Sequence, residues 1–212
     1  MKMFFVYFAT LALSLLPMEL RAEANALAAS GVYGELLLGV DPQTQAMTGY
    51  YLNGTGMNSQ NNGPQFSCIF YLTGKKAGES WAIQTWFPAD AKKSIISGEI
   101  RFLPGAAGKP PAIALKLKEA PPGCAMAAPD LAQAEGENLP LDTPGQWTEV
   151  RVVAAKQAHF YDSPSAPAPR KGYVVQGDAL RVWAKQAAWV QVDYEGKNKG
   201  WVKEGDLYPN HP

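Results

Sequence analysis

From Gly31 onward the chain meets a turn signal at short intervals: Asp41-Pro42, Asn53-Gly54, Thr73-Gly74, Pro88, Pro104-Gly105 and Pro121-Pro122-Gly123. Gly and Pro punctuate β structure because they supply or fix the backbone angles of tight turns. The segments between them are rich in β-type residues, and helix signals are almost absent. Strands are expected over Val32 to Val40, Met47 to Leu52, Gln65 to Leu72, Trp81 to Phe87, Ile95 to Leu103 and Pro111 to Lys118, with a polar loop from Thr55 to Pro64. In the last of these, Ile113, Leu115 and Leu117 alternate with Ala114, Lys116 and Lys118, the pattern of a half-buried strand with a wet face. Short strands at near-regular spacing imply an antiparallel meander. The fold class is therefore all-β, and this part should close as a barrel or a two-layer sandwich.

The N-terminus speaks for export. Lys2 precedes an apolar run from Met3 to Leu16, and Leu20-Arg21-Ala22 offers a small residue for signal-peptide cleavage. The run is shorter than the roughly 20 residues that span a bilayer, so residues 1–22 read as a signal peptide, with no membrane span left after cleavage and a periplasmic or secreted location. An exported chain meets an oxidising compartment, where Cys68 and Cys124 are expected to form a disulfide. A reactive thiol would need an activating histidine, and His159 and His211 both lie outside the segment that holds the cysteines. The mature chain is close to neutral and slightly acidic, which weighs against nucleic acid and polyanionic membrane surfaces as partners.

Between Pro121 and Trp147 the strand pattern lapses into residues rich in Ala, Pro, Glu and Gly, with a short helix expected within Ala125 to Glu135. This stretch reads as a linker, and Thr143-Pro144-Gly145 marks a boundary. The chain divides into an antiparallel β domain with its linker over residues 23–142 and a second domain over 146–209.

The second domain carries Lys171-Gly172-Tyr173-Val174-Val175-Gln176-Gly177-Asp178-Ala179-Leu180, then Trp189-Val190-Gln191-Val192, then Lys199-Gly200-Trp201-Val202 ahead of Asp206-Leu207. From Trp147 to Pro209 this order resembles the bacterial SH3-like domain: an apolar strand into a Gly-Asp turn, a Trp-x-x-Val strand, and a closing Gly-Trp-Val strand. The resemblance implies a small β barrel whose relatives bind cell-wall peptide, glycan or protein, and it implies that Trp201 packs structurally against the barrel. Where many relatives carry Asn-x-Arg-x-x-Pro in the first long loop, this chain has Phe160 and Tyr161, followed by the Pro-rich segment Ser165 to Arg170. Gly31-Val32-Tyr33-Gly34 and Thr48-Gly49-Tyr50-Tyr51 resemble the first strands of small lipocalin- and avidin-type barrels, where Tyr33, Tyr50, Tyr51 and Phe70 would be core and girdle aromatics.

Alternation points Leu180 and Val182 inward and turns Arg181 and Trp183 to the surface. Tyr161, Trp183 and Tyr194 are then the candidate ligand-binding residues, framing a shallow aromatic groove for a peptide or a sugar face. Catalysis finds little footing. Neither histidine sits beside a Gly-x-Ser-x-Gly motif, no His, Cys or carboxylate cluster suggests a metal or other cofactor, and Glu35, Asp41, Glu79, Asp90 and Glu99 read as solvated carboxylates. The expectation is a non-enzymatic exported binding protein contacting peptidoglycan or an envelope protein. The alternatives are a periplasmic inhibitor or immunity-type protein that plugs a wall hydrolase or toxin with the Asn53 to Pro64 loop, and a hydrolase with an unrecognised site.

Overall fold

The computed structural model describes residues 28–58, 60, 62–88, 90, 94–106 and 108–210; the expected signal peptide and His211 lie outside them. The first half is a closed eight-stranded barrel, which decides between barrel and sandwich. Its strands are β1 (Gly31–Tyr33), β2 (Leu36–Val40), β3 (Met47–Met57), β4 (Pro64–Ala77), β5 (Ser80–Trp86), β6 (Ile96–Leu103), β7 (Ala112–Leu117) and β8 (Glu137–Pro144). Each pairs antiparallel with the next, and β8 returns to β1 through Gly31↔Pro144, Val32↔Thr143 and Tyr33↔Leu141. Closure removes the open sheet edges that would otherwise invite pairing with another chain.

Three strand expectations are corrected. The run Val32 to Val40 is two strands, because Gly34 takes φ 50° and the chain reverses through Gly34-Glu35, pairing Tyr33 with Leu36. The polar stretch after Leu52 continues as strand: β3 runs to Met57 and β4 begins at Pro64, so both ends of the expected loop belong to a two-stranded ribbon. The supposed linker contains β8, without which the barrel would not close, as well as the helix α1 (Cys124–Ala127) and a 3-10 turn (Pro129–Ala132). Sparse apolar content hides β8, where Leu139 alone is buried.

Side chains fill the barrel. Leu36, Leu38, Met47, Leu72, Ile83, Ile100, Ile113, Leu115 and Leu117 are at most 2% exposed, as are Tyr33, Tyr51 and Phe70. Tyr51 stacks on Phe70 with ring centroids 4.7 Å apart, while Tyr50, the residue before it, lies outside against Tyr71 at 5.7 Å. Leu131 and the disulfide Cys68–Cys124 extend the core, the latter tying α1 to β4. Crosslinking residues 56 apart stabilises the fold by about 4 kcal/mol on the chain-entropy model.

The second half has its own core. Strands β9 (Glu149–Val152), β12 (Ala179–Gln186), β13 (Trp189–Tyr194) and β14 (Asn198–Lys203) form one sheet in the order β14-β13-β12-β9. Strands β10 (Gln157–His159) and β11 (Tyr173–Val175) pair separately. Between them lie Val153, Ala158, Phe160, Val174, Leu180, Val182, Val190, Val192, Val202 and Leu207. Among the described residues no helix is long and apolar enough to cross a membrane.

The halves are docked through β9. Trp147 is 4% exposed and its indole Nε1 donates to Leu38 O at 2.8 Å. Ser30 Oγ donates to Trp147 O at 2.5 Å and accepts from Val40 N–H at 2.8 Å. Val150 N–H donates to Thr48 Oγ1 at 2.7 Å. The close approach needs Gly39, since a Cβ there would lie 2.6 Å from the Glu149 carbonyl carbon. The tail returns over the same wall: Arg151 donates twice to Tyr208 O, and the Tyr208 ring lies 5.9 Å from that of Tyr71.

Candidate functional site

The period-two rule settles the two faces of the β12–β14 sheet. Leu180 and Val182 on β12, Val190 and Val192 on β13, and Gly200 and Val202 on β14 are buried, so their sequence neighbours point the other way. Register then sets Trp189 beside Lys203, Gln191 beside Trp201, and Asp193 beside Lys199 and Arg181 on the outer face. Trp183 occupies a bulge, where pairing shifts between Val182 and Ala184, and remains 36% exposed. A bulge twists the strand and re-aims the extra side chain.

Tyr161 joins this face from the long loop. Its backbone N–H donates to Trp201 O at 2.8 Å and its carbonyl accepts from Trp201 N–H at 2.9 Å. Its ring meets Trp189 edge-on at 4.8 Å, and Lys203 Nζ lies 5.8 Å from its centroid. At the other end, Trp183 meets Trp147 edge-on at 6.4 Å, with Lys199 Nζ 5.0 Å from its centroid. The Pro-rich segment is held beside Tyr161 by Arg170, whose Nε donates to Asp162 Oδ1 at 2.6 Å and whose Nη1 donates to Lys199 O at 2.5 Å. The result is an aromatic face with ammonium groups over two of its rings and the exposed Gln191 amide between. Flat rings offer apolar area at low entropic cost, and the ammonium groups favour anionic groups on whatever covers them.

Of the three expected binding residues, Tyr161 and Trp183 belong to this face and Tyr194 does not. Tyr194 follows the inward-pointing parity of Val190 and Val192, packs against the module core, and donates its hydroxyl to Asp178 Oδ1 at 3.2 Å. It borders a separate groove between the halves, about 240 Å³ in volume. Burial, with the Asp178 carboxylate as a second cause, pushes the Tyr194 hydroxyl above its ordinary range, and Tyr50 across the groove is raised for the same reasons.

Trp201 is corrected in the opposite sense. It is half-buried on the outer face rather than in the core, because Gly200 and Val202 take the inward positions of β14. Trp189 and Trp201 are therefore the face's missed members. The signal was present in the alternation of Trp189-Val190-Gln191-Val192 and of Gly200-Trp201-Val202, where inward valines oblige outward tryptophans.

Among the described residues no group of three or more His, Cys, Asp or Glu side chains is placed to hold a metal ion. The chain matches no protein-family model, no curated protein and no solved structure.

Proposed function

We propose that this chain is an exported, non-enzymatic binding protein whose C-terminal half is an SH3-like module that holds cell-wall peptide or glycan, or an envelope protein. The observation that carries the reading is the gathering of Tyr161, Trp183, Trp189 and Trp201 on the sheet face opposite the module core. Rings of this kind suit sugar faces and peptide backbones, while Gln191, Lys199 and Lys203 supply hydrogen bonds to hydroxyls and carboxylates. The barrel, locked to β9 through Trp147, serves as a rigid mount for the face. The test is sedimentation of the mature protein with purified peptidoglycan, alongside affinity capture from its own envelope extract. Retention on either, lost in a Tyr161→Ala, Trp183→Ala double variant, supports the reading. A protein that stays in the supernatant and captures no partner overturns it.

A specific feature favours a second reading, the inhibitor or immunity-type protein. The chain carries no charged residue from Pro42 to Gly74, and within that span β3 and β4 extend as a ribbon beyond their pairing with β2 and β5. The ribbon exposes Met57 by 84% and Phe66 by 37%, and its root is fixed where Asn53 pairs with the disulfide residue Cys68. A rigid uncharged finger of this kind suits insertion into the cleft of a hydrolase or toxin. Capture of such an enzyme that Met57→Lys abolishes, with Trp183→Ala without effect, would favour this reading over the first.

A further inference from the structure

The groove between the two halves holds chemistry that the aromatic face does not use. Leu37, Tyr50 and Leu52 form its barrel wall, and Leu52 is 48% exposed at the rim. Asp178, Arg181, Tyr194 and Glu195 stand opposite, and the Glu195 carboxylate is already paired with Lys197 at 3.0 Å. The Arg181 guanidinium lies 4.8 Å from the centroid of the buried Trp147 ring, which fixes its plane. Among the described residues, that guanidinium makes no ion pair and donates no hydrogen bond to protein, although Asp193 faces it in register. Asp193 instead accepts from Gly196 N–H at 2.5 Å and pairs with Lys199 at 3.7 Å. A stacked Arg with its donor fork open to a groove is suited to receive a carboxylate in bidentate fashion.

Asp178 supplies the opposite charge. Its Oδ2 accepts from Val175 N–H at 2.8 Å and its Oδ1 from the Tyr194 hydroxyl, so the carboxylate is held in place with acceptor capacity left over. No cation pairs with it among the described residues. An open cation and an open anion therefore share one groove with an apolar wall, and a ligand must match both charges.

We propose that this groove binds a small zwitterion of the amino-acid or dipeptide class, with its carboxylate on Arg181, its ammonium on Asp178 and its apolar part against Leu37 and Leu52. The size of the groove, about 240 Å³, suits such a ligand. None of Tyr161, Trp183, Trp189 and Trp201 lines the groove, so its test does not depend on retention by peptidoglycan.

The experiment is calorimetric titration of the mature full chain with dialanine, with N-acetyl-dialanine, which lacks the ammonium, and with alaninamide, which lacks the carboxylate. Dialanine should bind, and each probe missing one charge should bind about tenfold or more weakly, the cost of leaving a charged partner unmatched. Arg181→Gln should weaken dialanine by about tenfold, with Arg181→Lys intermediate because it keeps the charge and loses the fork. Leu52→Asp, at the exposed rim, should also weaken it and provides a variant that leaves the Trp147 stack intact. Absence of heat with millimolar dialanine would overturn the proposal. So would equal affinity for the N-acetylated probe, or affinity unchanged in both Arg181→Gln and Leu52→Asp.

Discussion

Trp147 and Leu38 join the two halves of the molecule: the indole Nε1 of the first donates to the backbone carbonyl of the second at 2.8 Å, inside an interface that leaves Trp147 4% exposed. Around this bond Gly39 lets the barrel wall touch the backbone of Glu149, and Thr48 accepts from Val150. The C-terminal half therefore buries part of its sheet against the barrel. Trp147→Ala should cost about 3 to 5 kcal/mol, and Gly39→Val about 1 to 3 kcal/mol through overpacking. Chemical denaturation should show one cooperative transition for the native chain and a separated or broadened one for Gly39→Val. A Gly39→Val protein with unchanged midpoint and slope would mean that the halves are not energetically coupled.

The disulfide has a different reach. Cys68 lies at the root of the β3–β4 ribbon and Cys124 opens α1, so the bond holds the segment that leads into β8 against β4. Replacing both cysteines by serine should lower stability by about 2 to 5 kcal/mol. Thiol titration of the native protein should find no reactive group until a reductant is added. Free thiols in protein folded under oxidising conditions would contradict this.

How much of this was readable beforehand depends on what each residue had to show. The alternation of Ile113, Leu115 and Leu117 announced β7, and Val190 with Val192 announced the core side of β13, because burial on one face writes a period of two into the sequence. β8 wrote almost nothing, since Leu139 is its one buried side chain and two prolines sit within it. Its place comes from backbone pairing with β7 and β1, a non-local fact. The ribbon beyond Leu52 was equally hidden, because strands with little burial carry no periodic signal. The family pattern makes Tyr194 an edge aromatic beside Tyr161 and Trp183, whereas the period of two it shares with Val190 and Val192 assigns it to the other face.

Glu137 opens β8 beneath the barrel core and accepts a hydrogen bond from the Tyr51 hydroxyl at 2.8 Å. Burial pushes its carboxyl above the ordinary carboxylate range; the Tyr51 bond opposes this, and Glu35 and Asp130 add to it. The folded state therefore binds a proton more tightly than the unfolded chain, and stability falls as pH rises from the ordinary carboxylate range through the raised folded value. Glu137→Gln keeps an oxygen to accept from Tyr51 and removes the charge. Its stability should be flat across that window and equal to or above the native protein at neutral pH, read by urea denaturation at a series of pH values. A pH dependence identical to that of the native chain would remove Glu137 as its source.

The aromatic face makes the sharpest separation between binding and folding. Trp183 sits on a bulge and is 36% exposed, and Tyr161 touches Trp189 and Lys203 rather than the core. If the face anchors a ligand, Trp183→Ala and Tyr161→Ala should each weaken binding by about 1 to 3 kcal/mol. The Trp183 contact with Trp147 adds about 0.5 to 1.5 kcal/mol to its stability cost. Trp201→Ala should follow the same pattern, because its ring lies on the outer face while Gly200 and Val202 take the buried positions. Val202→Ala should do the reverse, losing about 1 to 3 kcal/mol of stability from a side chain with 0% exposure while sparing the face. Paired binding isotherms and unfolding curves for the four variants decide the matter. If Trp201→Ala unfolds the module and Val202→Ala does not, the two faces of β14 are exchanged, and the aromatic face no longer exists as a surface for a ligand to cover.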